Sequence, residues 1–254
     1  MEVHAHTHTP RKKWTHYLWE FLMLFLAVFC GFLAENQREH LVENQREKQY
    51  IKSLLQDLKR DTFEISQDIK RRERRRVRAD SFIYELGFSA GNETRNSIYY
   101  NAAGLAGLSL FNYSNSTTQQ LKNSGLMRLI RNSDLVESIN SYDRAVTRHK
   151  VREDVERELT LEYNRAICFV LDAITIETLG DSLTSISFGI NPDSIHIRPV
   201  FKPLLTKDPD RINLVKGVVA QLYNRNLSNY FQLILLRRQA INIITLIKKE
   251  YHME

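Results

Sequence analysis

The hydrophobic positions of the chain begin as one continuous apolar block near the N-terminus. Residues 14–34, WTHYLWEFLMLFLAVFCGFLA, contain one acidic residue and no lysine, arginine or proline. A helix of this length rises roughly 31 Å, enough to cross a bilayer core. The wholly apolar part, 21–34, is shorter, so we expect an aromatic belt of Trp14, Tyr17 and Trp19 at the headgroup level. The block predicts a transmembrane helix.

A cleaved signal peptide is the main alternative for this block, because the cations at 11–13 resemble the start of such a peptide. Cleavage after Ala34 would place Phe32 where a small residue is required, and Phe29 is too bulky for lipid processing at Cys30. The pattern therefore favours an uncleaved anchor.

Charges around the anchor indicate its orientation. The cluster at 11–13 precedes it, and four cations follow within twenty residues: Arg38, Arg46, Lys48 and Lys52. The counts nearly balance, but the leading cluster is denser and its tail is short. We expect the N-terminus in the cytoplasm and the domain outside a bacterial inner membrane, in the periplasm.

One face of the predicted span has an unusual composition. Successive steps of four and three residues bring together a membrane-interface stripe: Glu20, Leu24, Ala27, Gly31 and Ala34. The pair Ala27 and Gly31 lets a second helix approach closely. Glu20 is either a functional group near the membrane or a carboxylate that extends into the headgroups. We expect the stripe to form a homo-oligomer or to bind other membrane proteins.

Beyond residue 34 the pattern is helical, and few glycines or prolines interrupt it. A seam at alternating steps of four and three contains Ile51, Leu55, Leu58, Thr62, Ile65 and Ile69, and then fails at Arg72 and Arg76. Further helices are expected in 96–121, in 134–179 and in 211–251, with an irregular connection at 180–209. Gly125 is expected to end a short helix over 117–124 in a left-handed conformation, and a hydroxyl in the stretch 132–134 to cap the helix that follows. The predicted fold is all-α, with an N-terminal transmembrane helix continuing into an antiparallel long-helix bundle. Its divisions are a disordered tail at 1–13, the span at 14–34 and the bundle domain at 35–254.

The excess of positive charge lies in one segment of the chain. Residues 70–78, KRRERRRVR, carry seven cations and one anion, which equals the net charge of +6 of the whole chain. This basic run has no interleaved aromatic residues, so we expect no nucleic acid as a partner. We predict a solvated helix face, because most charge runs are solvated.

The chain contains no Gly-rich phosphate loop, no HExxH and no spaced cysteine set, so no catalytic residue, cofactor or metal is assigned. His149 and Glu153 stand four apart and could ligate a metal, but a surface pair is expected within the charged stretch 149–158. Tyr99 and Tyr100 are a possible ligand or partner surface, although core packing is the default for such residues.

The run at 120–142, QLKNSGLMRLIRNSDLVESINSY, resembles the central signature of a family of membrane-anchored proteins from Bacteroidota. The matching positions are Leu121, Ser124, Gly125, Leu129, Ile130, Leu135, Ile139 and Tyr142. Glu20 ahead of an apolar span and a charged helix reaching Tyr50, Leu54 and Leu58 also fit. The resemblance implies a single-pass inner-membrane protein with a helical domain. The family has no established activity, so the resemblance assigns no functional residue.

Two functions are compatible with this pattern. The favoured hypothesis is a non-enzymatic, single-pass scaffold or protein-interaction module held at the lipid bilayer. The alternative is a membrane-tethered sensor whose helical domain binds a small ligand near residues 99–111. A deep polar pocket there would favour the sensor, and a broad exposed apolar surface would favour the scaffold.

Overall fold

The structure is a computed structural model that describes residues 14–91, 93–108, 110–187 and 200–253, with the side chains of α5 described as far as Gly180. Regular structure in these ranges is entirely helical, which confirms the predicted all-α fold. The helices are α1 (Trp14–Gly91), α2 (Ser97–Ala106), α3 (Ser116–Asn123), α4 (Ser133–Ile167), α5 (Ala173–Ser187) and α6 (Pro209–Tyr251), with a 3-10 turn at Leu126–Leu129. The predicted tail at 1–13 lies outside the described residues.

Contacts divide the chain into two compact units, residues up to 51 and residues from 52 onward. In the first unit every described residue from 14 to 41 is exposed. By length and composition, α1 is the described helix able to cross a membrane.

The second unit is built on three long helices. Tyr230 donates a hydrogen bond to Glu73, and Arg237 donates one to Ser66, so α6 runs antiparallel to α1. Tyr142 of α4 donates a hydrogen bond to Asp61 of α1, and Arg72, later in α1, donates one to Glu156, later in α4. The two helices are therefore parallel. One apolar cluster joins buried side chains of α1, α2, α4, α5 and α6.

From Leu58 onward the buried positions of α1 repeat at steps of three and four residues. They are Leu58, Asp61, Ile65, Asp68, Arg72, Arg75, Ala79, Phe82, Leu86 and Ser89. α4 and α6 bury residues with the same alternation, from Leu135 to Ile167 and from Ile212 to Ile247. This is the spacing by which helices interdigitate in coiled coils and bundles.

The seam predicted for α1 was therefore partly wrong. Ile51, Leu55, Leu58 and Ile65 are buried, but Asp61 and Asp68 occupy positions that we had given to Thr62 and Ile69. The seam also continues past residue 72. A seam that is traced by hydrophobic residues alone ends there, because the next residues in the interior are arginines.

Two helix boundaries also differ from the prediction. The segment 134–179 is interrupted, because α4 ends at Ile167 and α5 begins at Ala173, after Asp172 accepts hydrogen bonds from Thr175. Gly180 does not stop the second helix, which continues to Ser187. The final helix is confirmed, with Pro209 in its first turn and Lys248 and Lys249 in its last.

The stretch between α3 and α4 has the predicted turn chemistry. Gly125 has φ = +69°, the left-handed conformation that glycine adopts at little cost. Asn132, rather than a hydroxyl, caps α4 by accepting a hydrogen bond from the main-chain N–H of Leu135. Most positions of the resemblance at 120–142 are buried here, including Leu121, Leu129, Ile130, Leu135, Ile139 and Tyr142.

Candidate functional site

The most distinctive site in the described part of the chain is a layer of charged and amide side chains inside the three-helix bundle. We call this the polar layer: Asp68, Arg72 and Arg75 of α1, His149, Glu153 and Glu156 of α4, and Asn226 and Asn229 of α6. None of these residues exposes more than 7% of its surface. All occupy positions of the buried 3–4 repeat, where bundles normally place apolar side chains.

Glu156 is the centre of the polar layer because it binds groups from the other two long helices. Its carboxylate accepts hydrogen bonds from Arg72 Nη1 at 2.7 Å, Arg75 Nη1 at 3.1 Å and Asn229 Nδ2 at 2.7 Å. Charge-assisted hydrogen bonds of this kind are roughly twice as strong as neutral ones. One carboxylate therefore fixes the relative positions of α1, α4 and α6.

Each arginine of the layer has further partners. Arg72 Nε donates to Asp68 at 3.0 Å, and Arg72 Nη2 lies 3.7 Å from Glu153 Oε1. Burial opposes the charge of Arg72, but Asp68 and Glu156 outweigh it and raise the pKa of the guanidinium. Burial lowers the pKa of Arg75, although Glu156 partly offsets this effect. An arginine stays protonated in either case, so both charges must be balanced inside the protein.

Arg75 also connects the polar layer to α2. Its Nη2 donates to the main-chain oxygen of Leu105 at 2.8 Å and to Thr160 Oγ1 at 3.1 Å. Leu105 lies in the last turn of α2, where main-chain carbonyls lack partners within the helix. A cation at this end of a helix is also favoured by the helix dipole.

The basic run was predicted to be a solvated face, and for Arg72 and Arg75 that prediction was wrong. Other cations of the run lie at the surface or against neighbouring helices. Arg76 lies over the rings of Tyr223 and Tyr230, at 5.4 and 5.8 Å from their centroids. Arg78 packs against Gly104 of α2 so closely that an added Cβ would meet its guanidinium.

The charged stretch of α4 was also predicted to be exposed, and this was wrong for three of its residues. His149, Glu153 and Glu156 are buried. His149 Nε2 lies 3.4 Å from Glu153 Oε1, so the pair is internal rather than a surface pair. Within the residues described, no group of three possible ligands could hold a metal ion.

A second group of carboxylates holds the connection between α2 and α3. Residues 111–117, which we call the strap, donate three main-chain N–H groups to side chains of the long helices. Phe111 donates to Glu153 at 2.9 Å, Ser114 to Asp61 at 2.9 Å and Thr117 to Asp57 at 3.3 Å. Carboxylates thus replace the backbone partners that a loop outside regular structure lacks.

Asp61 is the most enclosed carboxylate beneath the strap. It is fully buried and also accepts a hydrogen bond from the hydroxyl of Tyr142 at 2.9 Å. Burial raises the pKa of Asp61 to about 6, against the lowering effect of its hydrogen bonds to Ser114 and Tyr142. A shallow cleft of about 280 Å³ adjoins the strap and is lined by Arg60, Glu64 and residues 112–116.

The residues that the sequence singled out are spread over the chain. Those of the membrane-interface stripe and the aromatic belt are exposed along α1, and His16 lies 3.6 Å from Glu20. Tyr99 is fully buried, with its hydroxyl accepting a hydrogen bond from the N–H of Asp172. Tyr100 is about half exposed and packs beside Phe201.

Sequence reasoning missed the polar layer, although a signal for it was present. Arg72, Arg75, Glu156 and Asn229 each stand three or four residues from a buried position on both sides. Continuing the 3–4 alternation through polar residues would have found them. No protein-family model, no curated protein and no solved structure matches the chain.

Proposed function

We propose that this protein is a membrane-anchored, non-catalytic scaffold whose three-helix bundle presents a fixed outer surface to other proteins. The proposal places the apolar block of α1 in a bacterial inner membrane, with the N-terminus in the cytoplasm and the bundle in the periplasm. The resemblance to a Bacteroidota family of single-pass proteins is consistent with this placement and remains a prediction.

The observation that carries the proposal is an outer stripe of apolar side chains on α1. Phe63, Val77 and Tyr84 are 60%, 66% and 68% exposed and stand fourteen and seven residues apart. Seven residues are nearly two helical turns, so these side chains share one face, opposite the buried seam. Large exposed side chains on a rigid element are typical of protein contact surfaces.

The polar layer supports the same role. A buried polar group at a core position fixes helix register, at a cost in stability that an apolar residue would not carry. A fixed register keeps the outer stripe in a constant arrangement, which is what a docking surface requires. We therefore propose that the interior charges fix the arrangement of the helices and do not carry out a reaction.

Photo-crosslinking tests the scaffold function. With benzoylphenylalanine at Val77 or Tyr84 of the full-length protein in its native membrane, we expect discrete protein adducts in severalfold higher yield than from Glu137. Glu137 is exposed on α4 and does not belong to the outer stripe of α1, so it is the control. Equal yields from the three positions, or no adduct at Val77 and Tyr84, would contradict the proposal.

Self-association through the membrane-interface stripe is the second part of the proposal. A Cβ added at Gly31 meets no atom within 4 Å, so a substitution there does not disturb the protomer itself. We expect Gly31→Leu to reduce oxidative crosslinking through Cys30 at least about fivefold, because a bulky residue keeps two helices apart. The measurement uses a Cys168→Ser background, with Leu22→Phe as the control on the opposite face. If crosslinking through Cys30 is the same in Gly31→Leu as in the parent protein, the stripe is not the interface.

A sensor is the second candidate, and the cleft beside the strap is the observation that favours it. The cleft is lined mainly by hydroxyl and amide groups together with Arg60 and Glu64, which suit a small polar ligand. It lies at residues 112–116, beside the region 99–111 where a ligand was expected. Tyr99 is not part of its lining.

A further inference from the structure

The strap is attached in an unusual way, because its main-chain N–H groups are bound by acidic side chains and not by other main-chain groups. The three contacts are made by Phe111, Ser114 and Thr117, which are spaced three residues apart. The last of them, Thr117, lies in the first turn of α3. Asn115, the residue at the N-cap position of this helix, makes no side-chain capping hydrogen bond. Asp57 supplies that cap from α1, and its charge suits the helix N-terminus.

The middle contact differs from the other two in its electrostatic surroundings. Asp61 is fully buried, its partners are the main-chain amide and hydroxyl of Ser114 and the phenol of Tyr142, and no cation pairs with it among the described residues. A buried carboxylate without a cation is expensive to keep charged. Asp57, one helical turn away, adds a like charge.

The charged groups around Asp61 come from every element that encloses it. Tyr113 of the strap donates to Asp143 of α4, and Lys122 of α3 pairs with the same carboxylate. Lys150 of α4 lies over the ring of Tyr113. Lys122 and Lys150 are therefore engaged by Asp143 and by an aromatic ring, while Arg60 and Glu64 of α1 line the adjoining cleft.

We propose that the strap is a pH-dependent closure, held shut when Asp61 is protonated and opening onto the adjoining cleft more often when Asp61 is charged. In the closed form the carboxylate is enclosed; in an open form water would hydrate it. A proton therefore binds the closed form more tightly than the open form, and charge favours opening.

The direction and size of the effect follow from this linkage. Burial raises the pKa of Asp61 from 3.8 to about 6, so closure is strongest below about pH 4 and weakens as pH rises through 6. If opening restores the ordinary pKa, the opening equilibrium increases up to about 100-fold across this range. Most of the change falls between pH 4 and pH 7.

Hydrogen exchange of the full-length protein in detergent micelles tests the closure. Rates for peptides covering the strap, corrected for intrinsic exchange, are measured from pH 4.5 to pH 7.5. We expect protection of the strap to fall at least tenfold as pH rises, while a peptide from the middle of α6 keeps its protection. Asp61→Asn removes the charge at nearly constant shape, so its strap protection should not depend on pH.

Asp80→Asn removes an exposed carboxylate from the same helix and should retain the wild-type profile. A flat wild-type profile, or a pH dependence that persists in Asp61→Asn, would overturn the proposal. So would parallel loss of protection in the strap and in α6, since this would mean global unfolding. The comparison of these two peptides in the wild-type protein decides the question even if Asp61→Asn does not fold.

Discussion

Replacing Glu156 with glutamine is expected to lower the free energy of unfolding by about 3–5 kcal/mol. Glutamine has nearly the same shape but no charge, and its amide group would face two guanidinium groups and the amide of Asn229. The carboxylate of Glu156 is the shared partner of Arg72 and Arg75. Arg72 would keep Asp68, but Arg75 would keep only the carbonyl of Leu105 and the hydroxyl of Thr160, so its buried charge would have no adjacent carboxylate. Equilibrium unfolding of the full-length protein in detergent by urea, followed by circular dichroism, measures the effect.

Glu158→Gln is the matched control for this experiment. Glu158 lies on the same helix, two residues away, and is exposed. The same chemical change at this position should alter the free energy of unfolding by less than about 0.5 kcal/mol. Similar small effects at both positions would mean that Glu156 is hydrated and that the polar layer does not exist.

The second prediction concerns the removal of the groups centred on Glu156, with His149, Glu153 and Asn226 of the polar layer retained. We expect the free energy of unfolding of a variant with Asp68→Leu, Arg72→Met, Arg75→Met, Glu156→Leu and Asn229→Leu to lie within about 2 kcal/mol of the wild-type value, or to exceed it. Burying charges costs desolvation that their mutual attraction only partly offsets, whereas apolar residues of similar volume pack without that cost. The carbonyl of Leu105 loses Arg75 as its donor and Glu153 loses the guanidinium of Arg72, and these are the main unfavourable consequences.

In the same variant the register of the helices should be less well defined, even though the free energy of unfolding is maintained. Without the charged groups that join α1 and α6 to Glu156 of α4, fewer contacts in the middle of the bundle distinguish one seven-residue register from the next. The distance between spin labels on cysteines at Ser66 and Arg237, which contact each other across α1 and α6, is a measure of register when Cys30 and Cys168 are replaced by serine. A single narrow distance distribution in the wild-type background and a broader or divided one in the apolar variant is the expected result.

The fold class could be predicted from the sequence because the apolar block and the long stretches without glycine or proline leave few alternatives to helices. The final helix was found nearly to the residue, since Pro209 and the terminal lysines mark its ends. Gly125 was likewise recognised, because the turn between two short helices requires a left-handed residue. Local rules were sufficient at these places.

The interior charges could not be predicted by hydrophobicity, because burial of a charge depends on partners from distant parts of the chain. Arg72 becomes buried through Glu156, which is 84 residues away, and neither residue alone differs from a solvated one. The same holds for Asp61, whose partner Tyr142 is 81 residues away. Only the 3–4 spacing, followed regardless of polarity, carried the information.

The central claim is that the buried carboxylates and guanidinium groups of the bundle interior pair with one another out of contact with water. The most direct test is to compare the urea unfolding free energies of Glu156→Gln and the five-substitution apolar variant in one set of conditions. The account predicts that the loss of the Glu156 charge alone costs at least about 1 kcal/mol more than the removal of the groups centred on Glu156 together. Equal free energies for the two variants, both close to that of the wild-type protein, would contradict it.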